Sequence, residues 1–170
     1  DASHTHALAN ADTGLPGLAW FADVASAAAP RAVFVSRWAR EQAGQPGEVV
    51  CNAVEPDEFP LYEGPRAGLL WMALNVPAKG LSVARVAAQL AGLPLAAHGP
   101  NTANGPLTGA EKVAALQHAQ AYLFPSIIDA GPQTPLEAMA CGTPCVVLKR
   151  AGTVEYVAHG TGGYLCESVD

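Results

Sequence analysis

Short apolar runs alternate along the chain with stretches in which apolar residues recur at helical spacing. Ala32-Val33-Phe34-Val35-Ser36 reads as a buried strand, Arg37 to Ala43 as a helix, and Glu48-Val49-Val50-Cys51 as a second short strand. Asn52 to Gly68 carries Pro56, Pro60 and Pro65 among several acidic residues, the punctuation of a linker, so a boundary is expected at residues 55–68. A cleaner series follows. Gly68 to Ala73 is a predicted strand, and Leu81 to Ala91 a helix with Val83, Val86, Ala87 and Leu90 on one face. Leu95-Ala96-Ala97 is a weak strand ahead of a Gly/Asn/Pro loop, and Thr108 to Glu111 matches a capping box that opens a helix to about Ala119. Ala121 to Pro125 is a strand, and Thr134-Pro135-Leu136-Glu137 is a second capping box, with proline at the first helical position and Gly142 as the stop. Cys145 to Leu148, a short helix over Thr153 to His159, and a strand from Gly163 to Cys166 complete the series. Continuous apolar strands alternating with helices predict an α/β fold, a Rossmann-like parallel sheet with helices on both faces.

Composition narrows the function. The 170 residues are half apolar and 14% charged, with a formal net charge of −6, enough to bury a core but without the basic stripe that nucleic-acid binding needs. No nucleic-acid partner is expected. The longest uncharged stretches fall short of the ~20 apolar residues that span a bilayer, so no transmembrane segment is predicted. Cys51, Cys141, Cys145 and Cys166 lack CxxC spacing and read as reduced thiols of a cytoplasmic protein. The chain opens on Asp1 without the pattern of a signal peptide, which suggests a piece excised from a longer protein.

In such sheets ligands bind beyond the carboxyl ends of the strands, where loops enter helix N-termini with unpaired N–H groups. Two loops qualify. Leu74 to Gly80 places Lys79 beside a glycine, where it either holds a phosphate as a point charge or is a solvated loop lysine. Pro125 to Pro144 places Asp129 just after a strand and Glu137 eight residues on. Glu137 either accepts hydrogen bonds from sugar hydroxyls or caps the helix begun by Thr134. No convergent set of ligating side chains points to a structural metal.

Four blocks resemble, in order, the retaining glycosyltransferases of the GT-B fold, the family 4-like group 1 enzymes that include sucrose synthase-like and phosphatidylinositol mannosyltransferase-like members. Val33 to Arg37 with Val49 to Phe59 resembles "vSefar … ViPNGVDpdrF", and Leu70 to Gly80 resembles "fvGRl.peKG". Phe124-Pro125-Ser126 through Asp129 with Glu137 to Val146 resembles "PS..EgfG…lEAMAcGtPVv", the most specific block. Gly152 to Val157 with Gly160 and Gly163 to Leu165 resembles "GG.pEiv.dg.tG.Lv".

The resemblance implies a nucleotide-diphosphate sugar as co-substrate, UDP- or GDP-linked, with no cofactor, no metal and a glycan, lipid or small-molecule acceptor. It implies that residues 1–54 are the end of an acceptor-side domain, 55–68 the interdomain linker and 69–170 a truncated donor-binding domain. Any peripheral membrane contact would then belong to the absent N-terminal half. Lys79 would contact the diphosphate, and Glu137 the ribose. The turn of Ala130, Gly131 and Pro132, continuing into Gln133 and Thr134, would offer backbone N–H groups to phosphate or donor sugar. Asp129 stands where the family has the first Glu of an E-x7-E pair that contacts the transferred sugar. His98 and Gly99 match the "vGdGp" loop beside the nucleotide. His4, in Asp1 to His6, faintly resembles the active-site histidine segment of the N-terminal domain; a solvated chain end is the other reading. His118 and His159 fall at helix ends, where a surface role is the default. In this family the leaving diphosphate oxygen takes the acceptor's proton, so stabilising charge on the leaving group is the main electrostatic task.

The sequence departs from the pattern in three places. Ala73-Leu74 replaces the family's Gly-Arg, leaving Lys149 or Arg150 as the candidates to supply the missing charge. About twenty residues, a helix and a strand, are absent between Pro100 and Gly105. The chain stops at Asp170, before the helices that would close the domain. A non-catalytic nucleotide-sugar or glycan binding module is therefore the alternative to an active transferase, and a Rossmann-like domain of another function, such as a GT-B-fold epimerase, is a third reading.

Overall fold

The computed structural model describes residues 32–168. They fall into two compact units, the first ending at Asn52 and the second beginning at Ala53. In the first, strand β1 (Ala32–Phe34) pairs in parallel with β2 (Gly47–Val49) through helix α1 (Arg37–Ala43). The buried Ser36 hydroxyl accepts the Ala39 N–H at 3.0 Å and starts the helix, which Gly44 ends in the left-handed region.

The second unit is the predicted parallel sheet. Strands β3 (Leu69–Met72), β4 (Leu95–His98), β5 (Ala121–Phe124), β6 (Cys145–Leu148) and β7 (Gly163–Cys166) lie in the order β4-β3-β5-β6-β7, every pair parallel. Helix α2 (Leu81–Ala91) covers one face, and α3 (Gly109–His118) and α4 (Gln133–Ala140) the other. Strand alternation decides which residue serves which layer. Leu69, Trp71 and Leu123 pack with Leu81, Ala84 and Ala88 of α2, whereas Leu70, Met72, Tyr122 and Phe124 pack with Leu116, Ala138 and Cys141. Because β3 connects outward to β4 and the chain then returns to β5 on its other side, the order reverses between β3 and β5. The crevice at their carboxyl ends is where such folds bind ligands.

Several local expectations need correction. Helix α2 has the predicted ends but buries Leu81, Ala84 and Ala88, leaving Val86 and Leu90 exposed. Its rotation is set by Gly80, packed so tightly on Pro125 that a Cβ there would lie 2.3 Å from the Pro125 oxygen, and by alanines small enough to lie close to Trp71. Neither capping box forms. Thr108 precedes α3 without a side-chain bond, and α4 starts at Gln133 after Pro132, so Thr134 is its second residue and Pro135 its third. The helix expected over Thr153 to His159 is a 3-10 turn at Ala151–Glu155. The gap between Pro100 and Gly105 leaves β4 at the sheet edge, with the loop closed by Gly99 N–H donating to the Gly105 oxygen at 2.8 Å.

Residues 55–68, expected as a linker, lie within the second unit. Tyr62 N–H donates to the Cys141 oxygen and Ala67 N–H to that of His118. Arg66 fastens the segment: its guanidinium donates to the oxygens of Gln117 (2.7 Å), Cys141 (2.8 Å) and Tyr62 and to the Thr143 hydroxyl. It thereby satisfies carbonyls at the ends of α3 and α4 that have no helical partner. Replacing Arg66 with Ala is expected to cost about 3 kcal/mol, since a charged donor is lost and several acceptors are left unpaired; urea denaturation checks this. Cys141 and Cys145 are buried, and burial pushes the Cys145 thiol up to about 12, so both are inert core groups.

Candidate functional site at the sheet's switch point

The loop after β3 and the loop after β5 are laced together. Ala78 carbonyl oxygen accepts from the Ile127 N–H (3.0 Å) and the Ser126 hydroxyl (3.2 Å), and that hydroxyl also lies 2.9 Å from the Ile128 oxygen. From below, the fully buried Trp71 donates its indole N–H to the Lys79 oxygen at 3.1 Å. Lys79 ends a 3-10 turn (Pro77–Lys79), and Gly80, at φ 70°, turns the chain into α2. The Lys79 backbone is thus fixed, and its ammonium extends 5.7 Å over the Phe124 ring. Trp71→Phe removes this donor and leaves a cavity where a fully buried indole stood; a loss of about 3 kcal/mol in stability is expected in thermal or urea denaturation.

Lys79 meets Asp129 across the crevice, Nζ to Oδ2 at 2.5 Å. The other carboxylate oxygen accepts the Gly131 N–H at 3.2 Å, and the Asp129 carbonyl accepts the Gly152 N–H at 2.9 Å. Three residues read from two distant loops therefore converge on one point. The turn itself differs from expectation. Pro132 has no N–H to offer, and Gly131's is turned to Asp129. Gln133 and Thr134 are the first two residues of α4, whose N–H groups lack intrahelical acceptors. The Gln133 amide donates to the Ala53 oxygen at 2.9 Å, and the buried Tyr122 phenol donates to the Met72 oxygen at 2.7 Å, with burial pushing its pKa far upward.

Glu137 is the fifth residue of α4 and caps nothing. It is buried, and its Oε2 meets Lys112 Nζ of α3 at 2.5 Å, at ion-pair distance though outside hydrogen-bond geometry. Both face an open cleft of about 910 Å³ that Glu55, Phe59, Gln117 and Gln133 also line, with the Lys112 ammonium 5.7 Å over the Phe59 ring. Lys112, Trp71 and Ser126 are contributors that the sequence did not single out. Their roles depend on tertiary partners, Glu137 for Lys112 and the Ala78 oxygen for Ser126, and on the fold of the β3 loop back over Trp71.

His98 and Gly99 end β4 beside β3, with Ala73 N–H donating to the His98 oxygen at 3.2 Å. His98 Nδ1 is buried without a partner. Gly99 has φ 143°, and a Cβ there would lie 1.8 Å from the Ala73 oxygen, so the strand end closes only with glycine. Gly99→Ala is expected to cost at least about 3 kcal/mol, measurable as a lowered denaturation midpoint. His4 lies outside the described residues. Lys149 and Arg150 are committed to Glu167, through a 2.9 Å ion pair and a bond to its carbonyl oxygen, and neither is seen to stand in for the missing arginine. Among the described residues no three His, Cys, Asp or Glu side chains gather as a metal-binding group, and no helix is long and apolar enough to cross a membrane.

The parallel sheet and its covering helices form a Rossmann-like α/β fold, one also found in solved GT-B glycosyltransferases. Residues 105–170 match the family of glycosyl transferases group 1. The fold is similar to that of AviGT4, a glycosyltransferase involved in avilamycin A biosynthesis, with a TM-score of 0.70 at 22% identity over 78% of this chain and 50% of that one. It is also similar to HepE of Anabaena in complex with UDP and glucose, with a TM-score of 0.68 at 19% identity over 90% of this chain and 53% of that one. Over 35 residues the chain is 54% identical to N-acetyl-alpha-D-glucosaminyl L-malate synthase of Bacillus anthracis, covering 21% of this chain and 9% of that protein. The chain thus spans about half the length of the two structures and a tenth of the curated relative.

Proposed function

We propose that this chain supplies the donor side of a retaining glycosyltransferase that uses a nucleoside diphosphate sugar, UDP- or GDP-linked. The convergence of Lys79, Asp129 and Gly131 at the carboxyl ends of β3 and β5 carries the reading. As the bond between the anomeric carbon and the diphosphate oxygen breaks, negative charge gathers on the leaving group. The Lys79 ammonium and the N–H groups at the start of α4, which lack intrahelical acceptors, would stabilise that charge, and no resident metal is invoked. Glu137, with no helix end to cap, is placed to accept from the ribose hydroxyls, with the Lys112 ammonium beside its carboxylate in the cleft. The UDP-bound neighbour of the same fold supports a nucleotide ligand. A cytoplasmic setting accompanies the proposal, in keeping with buried free thiols.

The test is nucleotide release and glycoside formation from labelled UDP- and GDP-sugars, with the anomeric configuration of the product read by NMR. Saturable donor binding without product would support the second reading, a nucleotide-sugar binding module. Leu74, 45% exposed where the family has its second cation, is the observation that favours it.

A further inference from the structure

The two groups assigned to the donor diphosphate, the Lys79 ammonium and the Gly131 N–H, are both in contact with a single carboxylate. Asp129 gives one oxygen to each, at 2.5 Å and 3.2 Å. A carboxylate held between an ammonium and a backbone N–H reproduces what these groups would offer a phosphate. We infer that Asp129 is a built-in counter-ion occupying the anion cradle of the free protein, and that a diphosphate binds by displacing its carboxylate from Lys79. The inference rests on the proposed donor site and adds a determinant of its affinity.

The surroundings suit a displaceable group. The Asp129 carbonyl is tied to the Gly152 N–H at 2.9 Å, so the loop stays in place and only the side chain has to turn. The Lys79 and Asp129 side chains are 27% and 15% exposed, enough for water to reach the pair and keep its separation inexpensive. With the carboxylate in place an arriving diphosphate meets an ammonium already neutralised and a like charge beside it. With the carboxylate turned away, the cation is released to the ligand and the acid is free to accept from a sugar hydroxyl. Donor binding and the placing of Asp129 become one event.

Asp129→Asn separates this role from a structural one, because the amide oxygen can still accept the Gly131 N–H while the charge opposite Lys79 is gone. Inorganic pyrophosphate is titrated calorimetrically into the full chain and into Asp129→Asn, Lys79→Met and the double variant, with thermal melting to confirm that each is folded. Asp129→Asn is expected to bind pyrophosphate roughly tenfold more tightly than the unaltered chain, and the gain should vanish in the double variant. Equal or weaker binding by Asp129→Asn, alongside a loss in Lys79→Met, would overturn the inference and leave the donor site standing: Asp129 would then merely steady the lysine. Were Lys79→Met and the double variant to bind like their parents, or no form to bind pyrophosphate, the donor-site reading would fall and the inference with it.

Discussion

Lys79→Met is expected to lower the rate of transfer from a nucleoside diphosphate sugar on the order of 100-fold, equivalent to about 3 kcal/mol of leaving-group stabilisation. The effect is large for two reasons. Among the described residues Lys79 is a cation at the β3–β5 crevice, while Lys149 and Arg150 engage Glu167. Its removal also leaves the Asp129 carboxylate, 15% exposed, without its ion-pair partner and beside the developing negative charge. The change should appear in kcat, measured as nucleotide released per unit time at saturating donor, because charge on the diphosphate is greatest in the transition state. A change confined to KM would assign Lys79 to donor binding alone.

Glu137→Gln is expected to weaken UDP binding at least tenfold while leaving inorganic pyrophosphate affinity within about twofold, since the ribose is the part of the ligand assigned to it. Calorimetric titration of both ligands reads the difference. The substitution also strips Lys112 of its partner across the cleft. A second variant, Lys112→Met, separates the two effects. It removes the same ion pair and keeps the carboxylate, so UDP binding should fall less than with Glu137→Gln if the carboxylate itself meets the nucleotide. If the two variants weaken UDP equally, Glu137 acts only through the pair.

The architecture was legible because its strands are short, apolar on both faces and separated by glycine and proline. Cys145–Leu148 and Gly163–Cys166 have their predicted ends, as does helix Leu81–Ala91. What the pattern misplaced is what packing decides. The buried face of α2 follows from its seat on Trp71 and Pro125, which turns Val86 and Leu90 outward although they are among its most apolar residues. The start of α4 follows Pro132, which overrides the capping box and frees Glu137 from the role that competed with ligand binding. The site was legible as two loops, since Lys79 beside Gly80 and Asp129 eight residues before Glu137 stand out locally. Their pairings were not: Lys79 finds Asp129 and Lys112 finds Glu137 only once the β5 strand is inserted beside β3.

The most direct test of the donor site is a titration of UDP into the ¹⁵N-labelled full chain, followed by amide chemical shifts. The resonances of Gly80, Gly131, Thr134 and Glu137 are expected to move together with a common Kd, and Lys79→Met is expected to weaken that Kd. The donor site is contradicted if those resonances stay in place at millimolar UDP and at millimolar GDP alike, or if the shifts fall instead along the apolar groove of Val83, Ala87, Val146 and Leu148.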